Sequence, residues 1–429
     1  MTISKAAKAL ALATISAVAL GAMTAPSSAQ VTIDWMYVEN NEANLAVWRS
    51  IADDFEAANP GVTVNMQFLE NEAYKAKLPA LLQSDDAPDM FYSWGGGVLD
   101  IQRSSGFLQP VTAAMEADGG AWKSTFAESA VEGLTFDGDI YAVPFKVGAL
   151  AFFYNKAMLA EAGVDATSIE TWDEFLEAIK TIKAAGMTPL GCDGADKWPL
   201  HFYYSYLIMR HGGPEALAAV KAREPNAFFA DPFIKAGEDI VELGALEPCQ
   251  AGWQGSKWPS SAGMFGDGTV AMILSFEDFE RRQVSQATDG KGQSFDNIGR
   301  FTFPAVEGGS GDPASTLGAL NGWAVTKNAP PETLDFLKFF SSEESAKRLA
   351  AETGIIPATK NTEGAIGLAL AAQTAAELAV SPYHQNYLDQ DLGPNLGRSV
   401  NDVSVELWGG EITPEEAAQT LQDTADLDG

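Results

Sequence analysis

Between residues 31 and 92 the chain alternates short apolar strands with amphipathic helices, and few folds accept that order. Val31 to Met36 sets Val31, Ile33 and Trp35 against Thr32, Asp34 and Met36, the two-residue period of a strand. Leu45, Trp48, Ile51, Ala52 and Phe55 then recur at three- and four-residue spacing. Asn59-Pro60-Gly61 stops that helix, because proline cannot continue it and glycine tolerates the turn. Val62 to Met66 resumes as a strand, the pattern predicts a second helix over Glu72 to Gln83, and Asp89-Met90-Phe91-Tyr92 reads as a third strand. Strands joined through helices pair in parallel by a crossover, so the spacing predicts an α/β fold.

Later helix starts are marked by capping boxes, in which Thr or Ser and a Glu three residues on satisfy each other's free amides. Thr171 with Glu174, Ser341 with Glu344, and Thr413 with Glu416 each predict one. Pro414 takes a first helical position, where its missing N–H is harmless. Gly308 to Gly311 reads as a flexible turn. No repeat, heptad run or long Pro/Ser/Gly stretch divides the chain, yet 429 residues exceed one core. Two domains joined by several short crossings fit that length.

Lys5 and Lys8 precede the apolar run Ala9 to Leu20, and Ser27-Ser28-Ala29 supplies the small residues of a cleavage site. A secretory signal peptide is therefore expected over residues 1–29, and with it an exported protein. The run is shorter and richer in Ala than the ~20 apolar residues of a membrane span, and no Cys at the cleavage region can carry a lipid. The whole chain sets 58 Asp+Glu against 27 Lys+Arg, a net charge of −31. The leader holds two Lys and no acid, so the remainder carries −33. Nucleic-acid and anionic-lipid partners need clustered Lys and Arg, which such a surface does not offer. Cys192 and Cys249 would meet an oxidising compartment, where a disulfide is expected. Two buried thiols or a metal pair are the alternatives, although His201, His211 and His384 are scattered and no C-x-x-C spacing occurs.

Catalytic and cofactor motifs are missing. There is no P-loop, no G-x-S-x-G elbow and no H-E-x-x-H helix, and Gly95-Gly96-Gly97 lacks the third glycine of a dinucleotide fingerprint. Asp389-x-Asp391-x-Gly393 resembles part of a calcium loop without its third acid and distal Glu. No cofactor and no metal are expected. Paired carboxylates of a glycosidase are spaced in space and not in sequence, so that activity stays as an alternative to a binder.

Several stretches resemble the extracellular solute-binding proteins of carbohydrate ABC transporters, the maltose-binding-like group. They begin with Phe55-x-x-x-Asn59-Pro60-Gly61-Val62-x-Val64, then Ala87-Pro88-Asp89 with Trp94-Gly95-Gly96-Gly97 and Gly106-Phe107-Leu108-x-Pro110. Asp137-Gly138-x-Ile140-Tyr141-x-Val143-Pro144 follows, then Phe153-Tyr154-Asn155-Lys156, Ala162-Gly163-Val164 and Thr171-Trp172-Asp173-Glu174-Phe175. The series closes with Met264-Phe265-x-x-Gly268-x-Val270-Ala271-Met272, Gly354-Ile355-Ile356-Pro357 and Gly410-x-x-Thr413-Pro414-Glu415-Glu416-Ala417.

The resemblance implies a two-lobed α/β periplasmic binding protein with several hinge crossings and a ligand cleft between the lobes. Crossings would fall near Val147 to Ala151, Leu317 to Gly322 and Glu363 to Leu370. The N-terminal lobe would then comprise 30–148 and 322–365, and the C-terminal lobe 149–321 and 366–429, with both cysteines. The protein would be a monomer that binds a neutral sugar without catalysis and delivers it to the permease subunits of an ABC importer. A polyol or a glycerol phosphodiester is the alternative solute.

Sugar recognition needs flat apolar faces for pyranose rings and planar polar groups for paired hydroxyls. Open α/β sheets place ligands at the carboxyl ends of strands, where Glu39, Asn40 and Glu70 stand; their bland reading is a turn or helix cap. Trp94 follows the third strand and precedes three glycines that let backbone approach a ligand. Lys146 at the first crossing can donate to hydroxyls. Trp198 and His201 are placed in a loop ahead of Phe202, Tyr203, Tyr204 and Tyr206, whose helical spacing reads as core. Phe276 and Glu277 follow the apolar strand Val270 to Leu274, where the family usually has a glycine and a Trp. Asn321 lies at the second crossing. Arg398, ahead of the final helix, carries a fork able to bond two oxygens, or an ion pair on the acidic surface.

Overall fold

The computed structural model describes residues 30–428, so the expected leader lies outside them. Two main β-sheets, each with its own helices, divide the described chain, beside two two-stranded ones. The larger has six strands in the order Ile356–Pro357, Ala142–Val147, Leu320–Val325, Met90–Ser93, Val31–Tyr37 and Val62–Phe68. Val31–Tyr37 pairs in parallel with Val62–Phe68 and with Met90–Ser93, as the strand-helix-strand opening predicts. The smaller sheet runs Ile298–Phe301, Ala151–Asn155, Val270–Ser275, Thr188–Leu190. Each sheet has a separate apolar core: Trp35, Trp48 and Trp323 pack together in the first, Phe152, Trp172 and Phe303 in the second.

The chain leaves the larger sheet after Val147 and enters the smaller at Ala151. It returns through Thr316–Gly318, which pairs with His384–Asn386, into Leu320–Val325. Gly318 is required there, since a Cβ would lie 2.0 Å from the carbonyl oxygen of Gly148. Among the described residues no helix is long and apolar enough to cross a membrane.

Local chemistry follows the sequence closely at helix starts. Asn41 caps Glu42–Ala58, and Thr171 and Glu174 form both bonds of a capping box at Trp172–Ala184. Thr413 and Glu416 exchange the same pair of bonds ahead of Pro414–Asp428. The expected cap at Ser341 is displaced by one residue. Ser342 caps Glu343–Thr353, while the Ser341 hydroxyl turns back to donate to the Leu337 carbonyl and ends the preceding helix. Nor is Gly308 to Gly311 a free turn: amides of Ser310 and Gly311 donate to the carbonyls of His211 and Arg210. Trp198 and His201 are not in a loop; they open the helix Trp198–Lys221, with Pro199 in its first turn.

His384 sits where the second passage meets its partner strand. Its Nδ1 lies 2.9 Å from the Thr316 hydroxyl and its Nε2 3.3 Å from the Ala319 carbonyl, which suits a neutral ring. Burial pushes its pKa down to about 4. The unfolded chain therefore takes up a proton near pH 6.5 that the folded one refuses until about pH 4. Stability from the neutral ring is complete above 6.5 and is lost as the pH falls. By urea denaturation, the advantage of wild type over His384→Gln is expected to shrink by about 2 kcal/mol between pH 7 and pH 5. An advantage that does not change with pH would mean that the imidazole is solvated.

Candidate functional site

Strand ends of the larger sheet open onto the space between the two sheets. Val31–Tyr37 hands over to Glu39 and Asn40, Val62–Phe68 to Glu70 and Asn71, and Met90–Ser93 to Trp94. Facing them are Trp198 and Phe202 from a helix start, Trp258 from the loop after Cys249, and Phe276 just past Val270–Ser275. These side chains line one cavity enclosing about 990 Å³, part of it open to solvent. Lys146 and Asn321, neighbours in strand register, form its back wall.

The second side is an aromatic cluster. Trp258 meets Trp198 at 5.3 Å and Phe276 edge-on at 5.3 Å, while Phe202 lies between Phe276 and Tyr387. On the first side Trp94 is edge-on to Tyr92 and Tyr74, and the Lys75 ammonium stands 5.6 Å from its ring centre.

The three cations at the cavity, Lys75, Lys146 and Arg282, are each paired with a carboxylate. Arg282, almost fully buried, binds the carboxylate of Asp278 at 2.6 Å, lies over Trp258, and reaches across to Asn40 at 3.4 Å. Burial would lower the Arg282 pKa, but Asp278 and Glu39 outweigh it and raise it. Lys146 Nζ lies 3.1 Å from Glu277 Oε1. Burial opposes the Lys146 charge, yet Glu277 foremost, together with Tyr92, Asp278 and Glu39, more than restores it, so its pKa is raised. Glu277 itself is pushed up, first by burial and then by Asp278, despite the lysine. Lys75 contacts Glu72 at 3.1 Å and Asp389 at 3.7 Å.

Of the eleven ligand residues expected from the sequence, eight line this cavity: Glu39, Asn40, Glu70, Trp94, Lys146, Trp198, Phe276 and Asn321. Two of these also carry the bland role. Glu39 accepts from the amides of Asn40 and Asn41, and Glu70 caps Asn71–Leu81 through the amides of Glu72 and Ala73. Three do not line it. Glu277 lies behind Lys146 with 1% exposure, and His201 is fully buried with Nδ1 against the Trp198 carbonyl at 2.6 Å. Arg398 is exposed on the helix Pro394–Trp408, at a second depression. The glycines after Trp94 do admit a close backbone, but it is protein: a Cβ on Gly96 would lie 2.7 Å from the Asp391 Cα.

Sequence reasoning missed Tyr92, Lys75, Trp258, Arg282, Tyr387 and Gln390. Arg282 had a usable signal, a cation four residues after Asp278 in a chain poor in cations. Asp389 was visible only as part of an incomplete calcium loop; among the described residues no group of three His, Cys, Asp or Glu is placed to hold a metal. Cys192 and Cys249 form a disulfide.

Residues 39–347 match the bacterial extracellular solute-binding protein family. The chain is 26% identical over 373 residues to the multiple sugar-binding protein of Streptococcus mutans, covering 84% of this chain and 82% of that one. It is 29% identical over 399 residues to the lactose-binding protein of Rhizobium radiobacter, covering 87% and 83%. A chitin oligosaccharide binding protein of known structure superposes with a TM-score of 0.82 at 23% identity, over 93% of this chain and 98% of that one.

Proposed function

As this chain belongs to the bacterial extracellular solute-binding protein family, we propose that it is the periplasmic sugar receptor of an ABC importer. It holds a neutral sugar in the cavity between its lobes and passes it, unaltered, to the permease. The first lobe would comprise 30–148 and 322–365, and the second 149–321 and 366–429. The observation that carries the reading is the composition of one cavity. Strand-end carboxylates and amides on one side face an aromatic cluster on the other. Pyranoses present apolar faces and hydroxyl edges to such a pair of walls. Relatives named for multiple sugars and for lactose support the same class of ligand.

Charge pairing argues for a neutral sugar over a phosphodiester. Lys146, Arg282 and Lys75 each already face a carboxylate, which leaves no free cation for a phosphate among the described cavity residues. Hydrolysis is disfavoured on similar grounds. Glu39 and Glu70 hold backbone amides at helix starts, and Asp389 accepts from Gln390 and Asn401, so each of these carboxylates already has a structural role.

Calorimetric titration of residues 30–429 with mono- and oligosaccharides, polyols and glycerophosphodiesters tests this reading. A sugar bound and recovered unchanged is the expected result; binding confined to the phosphodiesters, or disappearance of the sugar, would overturn it. Trp258→Ala is expected to weaken that sugar by about 30- to 100-fold, the usual cost of losing a central aromatic anchor. An unchanged Kd would remove Trp258 from the binding surface.

A further inference from the structure

We propose that Asp389 is a specificity-determining residue: its Oδ1 accepts from one hydroxyl of the bound sugar, and ligands without a donor at that position are rejected. The inference rests on the sugar-binding reading above. The protein treats the two oxygens of this carboxylate differently. Oδ2 accepts from the side-chain amides of Gln390 at 2.9 Å and Asn401 at 3.2 Å, and the Lys75 ammonium lies 3.7 Å from it. Oδ1 accepts no hydrogen bond among the described residues and faces His201 Nε2 at 3.6 Å. That nitrogen is not a donor. His201 Nδ1 lies 2.6 Å from the Trp198 carbonyl, which can only accept, so Nδ1 carries the ring hydrogen. Burial, the largest influence on this fully enclosed ring, lowers its pKa, so at pH 7 it is neutral and Nε2 presents a lone pair. Two acceptors therefore face each other.

The two differ in access. His201 Nε2 is sealed from solvent, whereas Asp389 Oδ1 is not, and Asp389 lines the main cavity with 5% of its side chain exposed. A carboxylate oxygen left without a donor in so enclosed a place is costly, and a sugar hydroxyl would supply the missing bond in its strong, charge-assisted form. The other cavity carboxylates are not in this position. Glu39 has donors on both oxygens, from the amides of Asn40 and Asn41 and the side chain of Asn44, and Glu70 is exposed to water. Lys75 completes the arrangement. Its ammonium has three hydrogens to give, lies near Asp389 Oδ2 and stands 5.6 Å from the Trp94 ring centre. A hydroxyl placed there can receive from Lys75 and give to Asp389 while its ring meets an aromatic wall.

Asp389→Asn separates binding from packing. Its amide keeps an oxygen for Gln390 and Asn401 and can turn an N–H toward His201 Nε2, so the melting temperature should equal or exceed that of wild type. The sugar, however, loses its charged acceptor. Galactose, lactose, raffinose, xylobiose and chitobiose are titrated against both proteins, and the sugar that wild type binds most tightly should bind the variant about 10- to 100-fold more weakly. Among the monodeoxy derivatives of that sugar, one should lose a similar factor in wild type and nothing further in Asp389→Asn. If that variant fails to fold by circular dichroism, His201→Gln decides the matter: its amide puts a protein donor in front of Oδ1 and should weaken the same sugar about three- to tenfold with Asp389 in place. A Kd within about twofold of wild type in the folded variant, or a lower melting temperature with unchanged affinity, overturns the role of Asp389 while the sugar reading stands. A wild-type protein that binds none of the sugars overturns the sugar reading, and this inference falls with it.

Discussion

Lys146→Met is expected to destabilise the protein by about 3–5 kcal/mol at pH 7, the usual cost of stranding one member of a buried ion pair. Glu277 keeps 1% of its surface exposed, its Oε2 has no other partner, and the carboxylate of Asp278 is next in the chain. Without the ammonium, Glu277 must either stay ionised in an apolar setting or take up a proton. Its pKa already stands above the ordinary value because of burial, and removing Lys146 raises it further. A group raised in the folded state binds its proton there first, so the variant loses stability as the pH climbs from the unfolded carboxyl pKa through the folded one. The deficit against wild type should therefore be largest at pH 7 and smaller at pH 5. Glu277→Gln in the same chain should restore most of it, since a neutral amide needs no counter-charge. Urea denaturation at the two pH values reads all three proteins. A loss under about 1 kcal/mol at pH 7 would mean that water reaches the pair.

Replacing Cys192 and Cys249 by Ser is expected to cost about 4 kcal/mol on the chain-entropy estimate for their sequence separation of 57 residues. The bond ties the segment after Thr188–Leu190 to the one that carries Trp253 and Trp258. Hydrogen bonds act across the same junction. Gln250 bonds both backbone groups of Cys192, Asp193 takes Ser256 and Ser261, and Asp196 accepts from the Trp258 amide. The double variant should lose stability and bind sugar more weakly, because the loop that aims Trp258 is no longer cross-linked. If chemical denaturation shows a loss below about 1 kcal/mol, those hydrogen bonds hold the junction alone.

Much of the architecture was legible wherever it depended on neighbours in the chain. Alternation over Val31 to Met36, the stop at Asn59-Pro60-Gly61 and the boxes at Thr171 and Thr413 are local bargains between side chains and the nearest backbone amides. Where two local solutions competed the reading slipped, as at Ser341, whose hydroxyl closes one helix while Ser342 opens the next. The first wall of the cavity was legible for the same reason. Glu39, Asn40, Glu70 and Trp94 each follow a strand, and a parallel sheet brings strand ends together by its own topology.

In the second wall only Phe276, just past Val270–Ser275, obeys that rule. Trp198, Trp258, Phe276, Arg282 and Tyr387 come from separate helices and loops, and no spacing along the chain predicts that their rings and guanidinium will meet. Ion pairing was equally hidden: Lys146 and Glu277 are 131 residues apart, and only the packed crossing turns two surface-type residues into a buried couple. What the sequence determined by itself was therefore the α/β alternation and one strand-end rim. What only the tertiary structure decided was which distant aromatics face that rim and which charges are neutralised behind it, because burial and long-range pairing are properties of the packed lobes and not of any local stretch of chain.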